Sequence, residues 1–181
     1  MNENKNQMYF AANPDAPHDK HIVDYHVDGI DLKFNTDAGV FSKMRIDYGS
    51  GVLIKTMREV AFPKKGILDV GTGYGPLGLF AAKFWPEQTV DMVDINERGL
   101  VLAKENAALN KIKNISIYSS NIYENVDQNE KFGLIITNPP IRAGKKVVST
   151  ILSEAYEHLV DQGVLLVVIQ KSRENRVQEN C

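Results

Sequence analysis

From residue 66 onward the chain alternates short apolar runs with longer amphipathic stretches. The pattern predicts strand 66–70, helix 76–84, strand 89–94, helix 97–110, strands 114–118 and 132–137, helix 145–160 and strand 163–170. Strands separated by helices in this order give an α/β, doubly wound, mostly parallel sheet with helices on both faces. Upstream, Ile30-Asp31-Leu32-Lys33-Phe34 alternates apolar and polar positions, as a short half-buried strand does. Asp47-Tyr48-Gly49-Ser50 opens an amphipathic helix carrying Val52, Leu53, Met57 and Val60 on one side, with Ser50 as the expected N-cap and Pro63 as the stop. Residues 1–28 are polar and contain Pro14 and Pro17, so they read as an irregular lead-in, residues 29–170 as the domain, and residues 171–181 as a polar tail.

Ligands of such sheets bind beyond the carboxyl ends of the strands, near the point where strand order reverses. Four features fall there, one of them Asn121, beyond strand 114–118. Gly71, Gly73 and Gly75 follow the run Ile67-Leu68-Asp69-Val70 and precede an apolar helix. Glycine permits positive φ and close approach of a ligand to backbone, and the helix start offers unpaired N–H groups. Alone, this turn fits either a nucleotide-like ligand or a tight structural bend. The next strand ends in Asp94, where a carboxylate can take ribose hydroxyls, while Asn96 suits the cap of the following helix. Asn138-Pro139-Pro140 closes strand 132–137; two prolines fix φ and hold Asn138 extended. Its side-chain oxygen and carbonyl can accept hydrogen bonds from an exocyclic amine, orient the nitrogen lone pair and favour the positive charge that develops on nitrogen during attack.

These residues resemble the class I S-adenosylmethionine-dependent methyltransferases. Within them, residues 34–42 and 47–50 and the stretch Thr137 to Lys145 resemble the ribosomal RNA guanine-N2 methyltransferases of the small subunit, in their single-domain form. The resemblance runs from about residue 8 to residue 170. It implies that S-adenosyl-L-methionine is the cofactor, that Gly71, Gly73 and Gly75 line its amino-acid portion, and that Asp94 binds its ribose. Asp69 is then expected under the glycine turn, holding its backbone or, through water, the cofactor's ammonium. Asn121 stands where relatives place an aspartate that accepts from the adenine amine. Asn138, Pro139 and Pro140 would form the catalytic end, and Ile141 stands where many amino methyltransferases stack an aromatic ring on the base. Arg142 and Lys145, with Lys146, would meet RNA phosphates. Thr36, Gly39, Asp47 and Gly49 would close the pocket. The same motif also suits other bases or a glutamine amide, and Asn121 with the short C-terminus also suits a truncated cofactor-binding chain without turnover.

Composition bounds the rest. The chain has 181 residues, 43% hydrophobic content and a formal net charge of −2, enough for one core and unlike a protein that coats nucleic acid. A single cysteine, Cys181, fits a reducing compartment, and the longest apolar run, Val164 to Ile169, is too short to span a bilayer. With no apolar leader near Met1, a cytoplasmic protein acting on ribosomal RNA or the small subunit is expected, without membrane or metal. His18 and His21 read as solvated, since no further ligand lies near them in sequence. The resemblance also implies a further helix and an antiparallel pair of strands after residue 170, which the polar tail does not encode. Codons can be chosen for residues 171–181 so that a single added A after codon 171 restores a sequence similar to the family's next helix. The tail is therefore expected to be read out of frame.

Overall fold

The computed structural model describes residues 21–37 and 46–169, the side chain of Ile141 excepted. His18, Gly39 and the tail from residue 170 lie outside that description, and with them the expectations placed on them.

The first correction falls at the start. Residues 21–27, expected within an irregular lead-in, form strand β1 (His21–Val27), which pairs antiparallel with β2 (Ile30–Thr36). Val23, Tyr25 and Val27 alternate with Asp24 and His26, and Asp28-Gly29 makes the connection with φ of 46° and 78°. Positive φ at both central residues defines a hairpin turn that matches strand twist, and Asp-Gly is among its preferred sequences.

The next element, α1 (Tyr48–Met57), is capped by Asp47, whose carboxylate accepts from the Ser50 amide. Ser50, expected as the cap, sits inside the first turn. Five strands follow: β3 (Ile67–Val70), β4 (Val90–Asp94), β5 (Ile115–Ser119), β6 (Phe132–Thr137) and β7 (Leu159–Val167). They interleave with α2 (Pro76–Phe84), α3 (Glu97–Leu109) and α4 (Lys145–His158). The sheet is parallel throughout, in the order β5-β4-β3-β6-β7, so strand order reverses between β3 and β6. β7 begins at Leu159, directly after α4, four residues earlier than its apolar run suggests. Leu159 and Val160 already belong to the strand, and an irregularity around Gln162, at φ 60°, separates them from the run Val164–Val167.

Strand residues alternate between two cores. Ile67, Val90, Met92, Leu134 and Ile136 pack with α1, α2, α3 and the hairpin through Phe34, Leu53, Ile54, Met57, Phe80 and Ala103. Leu68, Val70, Val93 and Ile135 face the other way, against Ile151 and Ala155 of α4 and the buried Tyr123. Both faces are covered, which explains strands β3 and β6 being buried at every position. Among the described residues, three helices cover one face and one covers the other.

Candidate active site

The carboxyl ends of β3, β4, β5 and β6 surround one cavity. At the end of β3 the chain turns through Gly71, Gly73 and Gly75, with φ of 74°, 56° and 97°. A Cβ on Gly71 or Gly73 would meet nothing within 4 Å, so these two backbones border open space. Gly75 differs: a Cβ there would press within 3.0 Å of Leu79 and Met92, and it serves as the cap of α2 rather than as cavity wall.

Carboxylates fasten the turn from two sides. Asp69, fully buried beneath it, accepts from the Thr72 hydroxyl (2.6 Å) and the Gly78 amide (2.9 Å) through one oxygen, while its other oxygen has no partner. Burial outweighs these two donors and pushes its carboxyl up to about 7. Asp94 accepts the Gly73 amide (2.7 Å) on one oxygen and the Asn96 amide (2.9 Å) on the other. Its carboxyl is also raised, desolvation prevailing over backbone hydrogen bonds. The Ile95 amide is a third backbone donor, and the carboxylate keeps lone-pair capacity for a ligand hydroxyl. Asn96 caps α3 as expected, accepting from the Gly99 amide (3.2 Å). A Cβ at Gly99 would lie 3.1 Å from the Gly73 carbonyl oxygen, so glycine lets α3 rest directly on the turn.

Across the cavity, the Thr137 hydroxyl donates to the Val70 carbonyl (2.8 Å) and ties β6 to β3 just before Asn138. The Asn138 amide nitrogen donates to the Asp47 carboxylate (2.9 Å) and the Ser50 hydroxyl (3.0 Å). Gly49 leaves the room this needs, since a Cβ there would come within 2.9 Å of Asn138 Oδ1. Pro139 and Pro140 continue the wall.

Of the residues expected from sequence, Gly71, Gly73, Asp94, Asn121, Asn138, Pro139, Pro140 and Asp47 line this one cavity. Asp69 and Gly75 support it from behind. Arg142, Lys145 and Lys146 are exposed beyond its wall, at and after the short 3-10 turn Ile141–Ala143. Thr36 is fully buried at the end of β2, away from the cavity wall. Sequence reasoning missed Tyr74, whose ring packs edge-on to Phe34 and whose buried hydroxyl borders the cavity without a partner. Burial and the neighbouring Asp47 charge raise its pKa. It also missed the apolar wall supplied by Leu77, Ile95, Ile122, Val147 and Ile151. Asp47 and Asp94 bring two acidic groups to a lining that, among the described residues, contains no lysine or arginine, which suits a cationic ligand with an apolar ring. Open space over Gly71 and Gly73 and the unpartnered Tyr74 hydroxyl fit a bound nucleoside-type cofactor.

A parallel sheet in this order, with a glycine turn after its central strand and an acid ending the next, is the class I methyltransferase fold, the fold of S-adenosylmethionine-dependent enzymes. Residues 31–178 match the family model of the methyltransferase small domain, and the chain belongs to that family. It is 44% identical to the uncharacterized protein YbxB of Bacillus subtilis, over 92% of this chain and 83% of that one. It is 35% identical to the ribosomal RNA small subunit methyltransferase C of Aeromonas hydrophila over 72% of this chain, but spans only 37% of that longer relative. A T. thermophilus 16S rRNA N2 methyltransferase, solved in complex with AdoMet and guanosine, shares the fold with a TM-score of 0.73 at 24% identity, over 85% of this chain and 43% of that chain.

Proposed function

We propose that this chain transfers a methyl group from S-adenosylmethionine to the exocyclic N2 amine of a guanine in small-subunit ribosomal RNA. The observation that carries this reading is the placement of Asn138 on the same cavity as Gly71, Gly73 and Asp94, with its amide nitrogen engaged and its oxygen free of any donor among the described residues. Asp94 would hold the ribose, the turn Gly71–Gly73 the amino-acid end, and Asn121 and Ile122 the adenine. Bound there, S-adenosylmethionine would supply an electrophilic methyl group and would retain the C–S electron pair as the neutral thioether, and the amine proton would pass to solvent. Asn138 Oδ1 accepts from the amine, turns its lone pair toward the incoming carbon and stabilises the charge that builds on nitrogen. Arg142, Lys145 and Lys146 lie exposed beside Pro140 and would take phosphates of the surrounding RNA. The names of the relatives support ribosomal RNA as the substrate class.

The test is methyl transfer from isotope-labelled cofactor to naked small-subunit RNA and to assembled small subunits, followed by nucleoside digestion. Label in N2-methylguanosine is expected, and Asp94→Ala is expected to weaken cofactor binding by at least about 10-fold, as loss of hydrogen bonds to a charged group does. Label in another nucleoside, or none in RNA, would overturn the substrate assignment. A glutamine amide is the second reading, favoured by 41% identity over 48% of this chain to a release factor glutamine methyltransferase of Fusobacterium nucleatum. Labelled protein rather than RNA would select it.

A further inference from the structure

An asparagine amide can present either of two nearly isosteric ends, and only the oxygen serves an amine that must donate a proton. What decides the orientation of Asn138 lies about 90 residues upstream, at the N-cap and first turn of α1. Asp47 Oδ1 accepts from Asn138 Nδ2 at 2.9 Å, and Ser50 Oγ accepts from the same nitrogen at 3.0 Å. A flipped amide would set its oxygen against the Asp47 carboxylate, two acceptors face to face with no proton between them. Gly49 completes the arrangement, because a side chain there would strike both ends of the amide, at 2.9 Å and 3.1 Å.

We propose that Asp47, Gly49 and Ser50 form a positioning clamp that fixes the Asn138 amide with its oxygen toward the target amine. The clamp acts through Asn138, and it rests on the reading that Asn138 receives that amine. Asp47 has a second effect. A carboxylate drawing on the amide N–H polarises the amide and makes its oxygen a stronger acceptor as positive charge grows on the substrate nitrogen. The same Asp47 oxygen caps α1 by accepting from Ser50 N at 3.1 Å, so the helix start and the active-site amide are set by one atom.

Because alanine at position 47 would also uncap the helix, the informative variant is Asp47→Ser, which keeps a good cap but lacks the charge and the reach. Asp47→Asn, which can still accept one neutral hydrogen bond, is the conservative partner. The first readout needs no substrate. In 15N-asparagine-labelled protein, the side-chain NH2 signals of Asn138, identified by their loss in Asn138→Ala, are expected to move in Asp47→Ser and to move less in Asp47→Asn. The second is steady-state methyl transfer, in which Asp47→Ser is expected to lower kcat about 10- to 100-fold, the scale of a misplaced catalytic group. Cofactor affinity is expected to stay within about 2-fold, well inside the change expected from losing a hydrogen bond to a charged group. The loss is expected to vanish when Asn138 is already alanine.

Unmoved Asn138 signals would overturn the clamp. So would a kcat loss that persists in the Asn138→Ala background, or a cofactor affinity that falls in step with kcat, because Asp47 would then act on the ligand itself. Should wild type methylate no guanine, the substrate reading fails while the NMR result still decides the clamp.

Discussion

Asp69 carries a cost that its position makes measurable. Its carboxyl rises from an ordinary 3.8 to about 7 in the fold because it is fully buried, and the Thr72 hydroxyl and Gly78 amide recover only part of the lost hydration. The folded protein therefore binds more protons than the unfolded chain between those values. Stability from this group is full below the unfolded pKa and is lost as pH rises toward about 7. Asp91, Asp94 and Glu130 are shifted in the same direction, so the wild-type curve alone is ambiguous. The difference between wild type and Asp69→Asn isolates the group. Asparagine still accepts from Thr72 and Gly78 but does not titrate, so thermal midpoints of the two proteins should converge or cross as pH rises from 4 to 7, wild type falling faster. Parallel curves would show that Asp69 is ionised throughout. The sequence placed Asp69 under the glycine turn, and the structure puts it there through backbone and hydroxyl donors; its raised pKa depended on how completely the strand is enclosed, which no short motif records.

At the scale of elements, the hairpin is fastened to the domain by asparagines. Asn106, fully buried on α3, accepts from the Asn35 amide (2.7 Å) and donates to the carbonyls of Asn35 (3.0 Å) and Tyr74 (2.9 Å). One helical turn on, Asn110 repeats the pattern on Lys33, accepting at 2.9 Å and donating at 2.7 Å. The i, i+4 spacing on the helix matches the i, i+2 spacing on β2, so two side chains act as a further strand along the open edge of the hairpin. Asn106→Ala strands the backbone groups of Asn35 and should cost about 2–4 kcal/mol in denaturant unfolding, whereas Asn110→Ala, nearer solvent, should cost about 1 kcal/mol or less. Equal costs at the two sites would mean that burial does not govern the clip. None of this was readable, since two asparagines on a helix give no sign of partners 71 and 77 residues away. The hairpin was readable. Alternation from Val23 to Val27 and the Asp28-Gly29 turn are period-2 and turn signals, hidden only by grouping them with the proline-bearing segment upstream.

For the molecule as a whole, the parallel sheet does the collecting: because all five strands run the same way, features separated by tens of residues finish on one rim. That is why Gly71, Asp94, Asn121 and Asn138 could be assigned to a common site from strand ends alone, and why Tyr74 and the wall from α4 could not, since their places depend on packing across the rim. The same geometry couples ligand to stability. The half of the site proposed for the cofactor joins β3, β4 and α3 through Asp94, the glycine turn and Gly99, so a ligand held there binds only the folded chain. At about 100 times its Kd such a ligand adds about 2.7 kcal/mol, and for a domain of this size the thermal midpoint should rise by about 5–10 °C. S-adenosylmethionine and its demethylated product should both produce the rise, since both carry the ribose and the adenine. Asp94→Ala should cut it to about half or less, as a 10-fold or larger loss of affinity requires, and Asn138→Ala should leave it nearly intact, because Asn138 is assigned to the amine and not to the cofactor. A shift left undiminished by Asp94→Ala and removed by Asn138→Ala would exchange the two halves of the site, placing the cofactor at β6 and the substrate over the glycine turn.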